Sequence, residues 1–419
     1  MEYYYELVMS EYDTQKGYDI YEIDRCIDVL QEYLYDSVGY DDDTMGGLME
    51  DEIEDIVEDC RVMMHDTLAG VPCEVPTNDP DSDPSILNAL LKIEPYRGGD
   101  QQRTDEWYTR RRGMITASIA RSIMRIDYTS GKGIGVLRDK IIPKEPVIEE
   151  EPKEFIPPSN PDAPAVRGVR YEPIIRQIYE NMNEVKVEEY DCVPHPEYPF
   201  LGASPDGIVT EGRTKGRMVE IKCPQPDSII KDGNRVRPEY WSQMQLQMEV
   251  CGLDTCDYVR AVIREAPTLV EIQTLARSIR REYQKSAIHP EVGQKDSQVI
   301  AAGTIWMDHT GKYHGTNPVE RKFRHEDSVH KHSETEVLFI RHYIIFAKDW
   351  FTVTVRRNRD WFLNAFLPKA REAWEEIQRG RADPVAWQEK YPLRKRGNGG
   401  ESMTTTVFKS PQICLLVDD

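Results

Sequence analysis

Nowhere does this sequence string together the roughly 18 consecutive apolar residues that a membrane-spanning helix requires, so no membrane segment is expected. Its opening, MEYYYELVMSEYD, has neither the basic nor the apolar stretch of a secretory leader, which points to an intracellular protein. None of the 8 cysteines forms a CxxC pair, which argues against zinc ribbons and iron–sulfur clusters. A disulfide framework is equally unexpected in a long chain without an export signal, so reduced thiols are the reading. No internal repeat is visible, and a solenoid is set aside. Positive charge is scarce in one place only. Residues 1 to 100 hold 5 Lys+Arg against 27 Asp+Glu, whereas the remainder is nearly balanced at 48 against 47. The net charge of -21 therefore belongs to a separable segment and does not exclude a polyanionic partner for the rest of the chain.

What is present suits a globular protein: 39% hydrophobic and 30% charged residues in 419, enough for two to three domains at roughly 100 to 200 residues each. Residues 1–85 read as an acidic, mainly helical accessory region, with Ile20, Ile23, Ile27, Leu30 and Leu34 at mixed helical spacing and a Pro/Asp/Ser linker over 71–85. That region is either a solvated accessory or a set of carboxylates that imitates DNA and covers a basic channel. Residues 86–380 read as the main domain and 381–419 as a flexible tail. Thr104 onward predicts a helix, a turn at Gly113 and a second helix opened by Thr116 or Ser118. Residues 143–165 are too rich in Pro and Glu to pack and read as an exposed insertion, and 264–335 is a polar insertion without an assigned structure. Strands are expected near 190–193, over 200–209, 217–223 and 256–263, and as one run over 343–355. A helix is expected from Pro238 to a stop at Gly252, and another over Asp360 to Gln378.

One constellation carries chemistry. Asp206 ends a strand in Ser204-Pro205-Asp206-Gly207, and Glu220 and Lys222 lie two apart on the next strand, hence on one face, with Ile221 turned into the core. Clustered carboxylates that hold magnesium, with an ammonium beside them, are what phosphodiester cleavage needs. Glu-x-Lys alone is commonly a solvated face and Pro-Asp-Gly alone a turn. Their order and spacing together resemble the PD-(D/E)XK nucleases.

Further residues narrow the resemblance to the lambda-exonuclease-like branch, the YqaJ viral recombinase family. They are Trp107, Arg111, Gly113 and Ile115-Thr116-Ala117-Ser118; then Gly168 and Glu172; then Ser-Pro-Asp-Gly and Glu220 through Pro224; and last Tyr240, Gln243 and Gln245. The resemblance implies an α/β, restriction-endonuclease-like core, a mixed central sheet flanked by helices. It implies a metal-dependent DNA nuclease, foremost a 5'-to-3' exonuclease on double-stranded ends in recombination, repair or replication. A structure-specific or nicking endonuclease and a non-catalytic end-binding scaffold are the alternatives. Two Mg2+ ions, replaceable by Mn2+, are implied, one on Asp206, Glu220 and the Ile221 carbonyl and a second shared by Glu172 and Asp206. Lys222 would act on the nucleophilic water and Gln243 would steady it. Arg111 and Ser118, with Thr116, would grip a terminal 5'-phosphate. DNA, a single-strand annealing protein and a homo-oligomer are the implied partners, in a host cytoplasm or nucleus if the source is viral.

Plainer readings stand beside these. Glu172 precedes Pro173 and is equally a helix opener. Arg111 sits in a run of three arginines, any of which could meet backbone phosphate or solvent. Gln243 and Gln247 are equally the polar flank of an apolar helix stripe. His195 reads as a loop residue without a role.

Overall fold

Helix α1 (Pro84–Ile93) and helix α2 (Asp105–Arg112) lead into the short strand β1 (Ile115–Thr116) and the short helices α3 (Ala120–Met124) and α4 (Arg138–Ile141). The long helix α5 (Pro164–Asn183) precedes β2 (Lys186–Glu188), β3 (Val193–Pro194), β4 (Leu201–Ala203), β5 (Gly207–Glu211) and β6 (Met218–Lys222). Helix α6 (Pro238–Cys251) is followed by β7 (Thr255–Ala261), β8 (Arg264–Ala266), α7 (Leu269–Ser286) and α8 (Pro290–Asp296). Then come β9 (Val299–Met307), β10 (Tyr313–Gly315), β11 (Phe339–Phe346), β12 (Trp350–Arg356), α9 (Leu367–Ala382) and α10 (Pro384–Lys390). This computed structural model describes residues 83–98, 105–142, 160, 162–226, 236–287, 290–324 and 337–392, with residues 19, 23, 25–31, 57 and 60. Among the described residues no helix is long and apolar enough to cross a membrane.

The central sheet has the order β12-β7-β6-β5-β2, parallel between β6 and β7 and antiparallel elsewhere. Period-two alternation sends its side chains to two cores. Val209, Val219, Ile221 and Val259 pack on Tyr171, Ile174, Ile175 and Ile178 of α5, while Ile208, Met218, Cys256 and Tyr258 pack on the side of α6 with Met244 and Met248. A mixed sheet with a helix on each face is the α/β core the sequence led us to expect. Helix α6 keeps its expected bounds. Pro238 opens it where a missing N–H costs nothing, and Gly252 ends it at φ 69°.

Several expectations need correction. The run 343–355 is two strands, because the turn Ala347–Asp349 carries the chain from one sheet to another. Its corner is pinned by the buried Asp349, which accepts hydrogen bonds from Arg264 (3.0 Å) and Tyr283 (2.7 Å). The unassigned stretch after residue 264 contains β8, α7, α8, β9 and β10. Its strands join β11 in a second, antiparallel sheet of order β10-β9-β11-β8, backed by α7. The run expected over 200–209 breaks at residues 204–206, leaving β4 in a small sheet with β1 and β3. At the C-terminal end the expected tail begins as helix α10, whose Trp387 is buried and donates to Glu376 (3.0 Å). The expected helix from Asp360 opens instead as a π-turn over Trp361–Phe366 before α9.

Of the acidic N-terminal stripe, Ile23, Ile27 and Leu30 are buried in the same core as α6 and α9, and Asn358 donates to Asp19 (2.8 Å). Ile20, Leu34, most of the acidic carboxylates and residues 143–159 of the proline-rich stretch lie outside the described residues.

The second sheet is fastened to α5 through Glu265 of β8. Its carboxylate accepts from Arg170 (3.1 Å), from Arg167 and from the Tyr171 hydroxyl, and both arginines are buried. Removing the anion would leave two guanidiniums without their counter-charge in a dry interface. Glu265→Ala should lose about 3–5 kcal/mol in denaturant unfolding, and a loss below about 1 kcal/mol would show the network to be dispensable.

Candidate active site

Strands β5 and β6 pair with Gly207 opposite Val219 and Ile208 opposite Met218. Asp206 immediately precedes this pairing and feels the charge of Glu220, so the two carboxylates share one site. Glycine at 207 lets β5 lie close to β2, since a Cβ there would stand 2.3 Å from Val187 Cγ1. Asp206 Oδ2 accepts the Ile221 N–H at 2.8 Å.

Glu220 is fully buried. Gln243 Nε2 donates to its Oε1 at 2.7 Å, Gln247 Nε2 to its Oε2 at 2.8 Å, and Lys222 Nζ pairs with Oε1. Gln243 and Gln247 are one helical turn apart on α6, and both reach across to β6. The Lys222 ammonium also lies 4.9 Å from the centre of the Tyr240 ring. Burial alone would lower the Lys222 pKa. The Glu220 and Asp206 carboxylates outweigh it and raise the pKa, so Lys222 remains a cation at neutral pH. Asp206 moves well above the ordinary carboxylate range because it is desolvated and faces the charges of Glu220 and Glu172.

Glu172 thus acts on the same site from α5, which packs on the other sheet face. It does not open a helix. It lies in the middle of α5, with Pro173 inside the helix. Among the described residues no three His, Cys, Asp or Glu side chains form a ready-made metal cage. The pair Asp206 and Glu220, with the Ile221 carbonyl, is nevertheless a set of hard oxygen donors that suits magnesium. The mutual repulsion that raises Asp206 is the kind a cation relieves.

A second cluster adjoins the first through Ser204, two residues before Asp206. The parallel pairing of β1 with β4, Thr116 opposite Gly202, brings residues 111–118 against it. Arg111 donates to Ser204 Oγ (3.2 Å) and to Ser118 Oγ (3.1 Å), Thr116 and Ser118 hydroxyls are 3.3 Å apart, and the guanidinium lies 4.4 Å from the Trp107 ring centre. Thr116 ends β1 and stands at the N-cap of a 3-10 turn, Ala117–Ile119, that runs into α3, so the helical stretch opens at Thr116 as expected, without a side-chain cap hydrogen bond. Burial lowers the Arg111 pKa. Lys140 of α4 donates to the Arg111 carbonyl, and its pKa is lowered to about 8 by burial and then by the Arg111 charge.

The structure therefore brings Asp206, Glu220, Lys222 and Gln243 into contact, sets Glu172 at their edge, and gathers Arg111, Thr116 and Ser118 next door. Gln247, expected only as a polar flank of the helix stripe, also holds Glu220, as its i, i+4 spacing from Gln243 allows. Sequence reading missed Lys140, which a separate short helix delivers and which no motif announces. Gln245 is structural. It donates to the Arg356 carbonyl (2.7 Å) and accepts from the Asn358 N–H (2.6 Å), tying α6 to the end of β12. His195 is buried rather than a loop bystander. Its Nδ1 accepts the N–H of Glu197 (3.0 Å) and its ring stacks on Phe362, and burial lowers its pKa to about 4.

Residues 106–254, which hold all of these side chains, match the family model described as YqaJ-like viral recombinase domain. An uncharacterized protein of Acanthamoeba polyphaga mimivirus is 31% identical over 190 residues, 43% of this chain and 32% of that protein, so the match spans about a third of the relative's length. Among solved structures, an alkaline exonuclease from Laribacter hongkongensis is 19% identical with a TM-score of 0.38, covering 68% of this chain and 99% of that one. A phage-related exonuclease from Haemophilus somnus is 10% identical with a TM-score of 0.31, covering 66% of this chain and 96% of that one. Over residues 106–254, little more than a third of its length, the chain is thus similar to the YqaJ-like viral recombinase domain.

Proposed function

We propose that the protein is a divalent-metal-dependent DNA nuclease that degrades double-stranded ends from 5' to 3' during recombination, with a single-strand annealing protein as partner and a homo-oligomer as its assembly. The observation that carries the reading is the facing pair of Asp206 and Glu220 with the Lys222 ammonium on the same face. Asp206, Glu220 and the Ile221 carbonyl would hold one Mg2+ or Mn2+, and Glu172 with Asp206 a second. When bound, such ions polarise the scissile phosphate and offset charge on the leaving oxygen.

Lys222 serves as a fixed positive charge and donor beside the phosphate. Its raised pKa suits it poorly to accepting a proton from water. Gln243 and Gln247 hold the Glu220 carboxylate in its orientation, and Gln243, part-buried at the site, can also donate toward the attacking water.

Arg111, Ser118, Thr116 and Ser204 would receive the terminal 5'-phosphate, because a guanidinium and converging hydroxyls match its oxygens. Lys140 adds a titratable charge behind them. This end-binding group adjoins the carboxylates through Ser204, which favours exonuclease over endonuclease action.

On 5'-labelled linear duplex with Mg2+, the protein should release labelled mononucleotides and leave covalently closed circles intact. Lys222→Ala should lower the rate at least about a hundredfold. A circle cut as fast as the linear duplex would refute the exonuclease reading, and ends bound but never cut with Mg2+ or Mn2+ would refute catalysis. The Lys140 charge is present below about pH 8 and fades above it. Affinity for a 5'-phosphorylated end, relative to a 5'-hydroxyl end, should therefore fall between about pH 7 and pH 9, and should hold steady in Lys140→Arg. Equal pH dependence in both proteins would remove Lys140 from the phosphate site.

A further inference from the structure

Helix α7 presents a face that its own packing does not require. Its apolar stripe, Ile272, Ile279 and Tyr283, is buried against Ala266, Ala302, Ile344 and Phe346, and the Thr268–Glu271 capping box fixes its start. At about 100° per residue, Arg277, Arg281 and Lys285 fall within an arc of about 80° on the opposite side. With Thr274, Ser278 and Glu282 they line a shallow groove.

The three cations are exposed, and among the described residues none of them is in an ion pair. Arg277 spends one N–H on the Gln273 carbonyl within the helix (3.2 Å). Glu282 stands i, i+3 from Lys285 without pairing to it. Arg277 to Arg281 and Arg281 to Lys285 are like-charge i, i+4 neighbours, an arrangement that destabilises a helix by about 0.2–0.5 kcal/mol per pair. A surface helix in a chain of net charge -21 has acids available to alternate with its bases. Here bases and hydroxyls are concentrated instead, and these are the groups that contact nucleic-acid backbone.

The position of α7 relates this face to the catalytic carboxylates. Glu265, four residues before α7, is gripped by Arg167, Arg170 and Tyr171 of α5, the helix that carries Glu172. A rise of 1.5 Å per residue sets Arg277 and Lys285 about 12 and 24 Å along α7 from Leu269. That reach corresponds to roughly seven base pairs at 3.4 Å each.

We propose that the Arg277–Arg281–Lys285 face of α7 is a second DNA-contact surface that binds the phosphate backbone of the duplex arm lying beyond the catalytic carboxylates. The inference rests on the nuclease reading of that site. It gives the second sheet a task, which is to carry a basic helix at a fixed offset from the point of cleavage and so retain long duplex.

The test compares wild type with Arg277→Gln/Arg281→Gln/Lys285→Gln by fluorescence anisotropy in EDTA, on a duplex of about 40 base pairs and on a hairpin of about 10, across salt concentrations. Matched thermal unfolding establishes that the triple variant is folded. For the long duplex the slope of log K against log salt should shrink by about 2.7, that is about 0.9 for each of three lost phosphate contacts, and affinity near 0.1 M salt should fall at least about tenfold. Hairpin binding and hairpin cleavage with Mg2+ should change less than about twofold. Wild type that binds DNA while the triple variant keeps its slope and affinity overturns this inference alone. A protein that binds neither substrate overturns the nuclease reading and this inference together.

Discussion

Two carboxylates facing each other across an antiparallel pair of strands, where water is largely excluded, are an unfavourable arrangement, and much of the fold serves to hold them there. The strand pairing that starts at Gly207 leaves Asp206 within the field of Glu220, held by the Ile221 N–H. Helix α6 then surrounds Glu220 with amide donors, and Lys222 supplies one cation for two or three anions. The deficit of positive charge is what the site keeps. An apolar pair at those positions would stabilise the sheet more, and the retained repulsion supports the proposal of a metal site there. Helix α5 completes the set from the far face of the sheet, and the buried arginine network around Glu265 keeps α5 in register with both sheets.

The legible part of this protein was the part written in short-range patterns. Period-two alternation placed Glu220 and Lys222 on one face and Ile221 in the core, and Pro238 and Gly252 marked the ends of α6. The illegible part depended on tertiary partners. Lys140 reaches Arg111 from another helix, and Glu172 acts on Asp206 from α5, facts that spacing along one element cannot express. The stretch from 264 to 324 was closer to readable than it looked. Thr268 with Glu271 is a capping-box signature, and Val299–Met307 is a nearly unbroken apolar run of the kind a buried strand shows. Polar composition concealed both, because α7 is outwardly basic and only one stripe of it is buried. The run 343–355 failed for another reason. Periodicity continues across a corner, while Asp349, the residue that makes the corner, is held by Arg264 and Tyr283 from elsewhere in the chain.

Charge is divided in this molecule in a way its overall acidity conceals. The first hundred residues hold most of the negative excess, the proposed catalytic face holds a small buried negative cluster, and Arg277, Arg281 and Lys285 stand exposed on one face of α7 while Arg111 is part-buried beside Ser204. A polyanion approaching the proposed end-phosphate cluster or the outer face of α7 meets basic groups at both places, with one acid, Glu282, in the α7 groove. That arrangement suits the proposed nuclease, with attraction along the substrate and acids clustered at the proposed metal site.

The central claim is that repulsion between Asp206 and its neighbours is held in reserve for a divalent ion. Because the folded-state pKa of Asp206 lies above its unfolded value, its charge works against the fold once the pH rises through the folded pKa, and a bound cation offsets that cost. Thermal unfolding of wild type and Asp206→Asn near neutral pH, in EDTA and in Mg2+, reads this directly. The account predicts that Asp206→Asn melts higher than wild type in EDTA by a few degrees, on the order of 1 kcal/mol, and that Mg2+ raises the melting temperature of wild type alone. An Mg2+ shift of equal size in both proteins, or an Asp206→Asn protein less stable than wild type in EDTA, would contradict it.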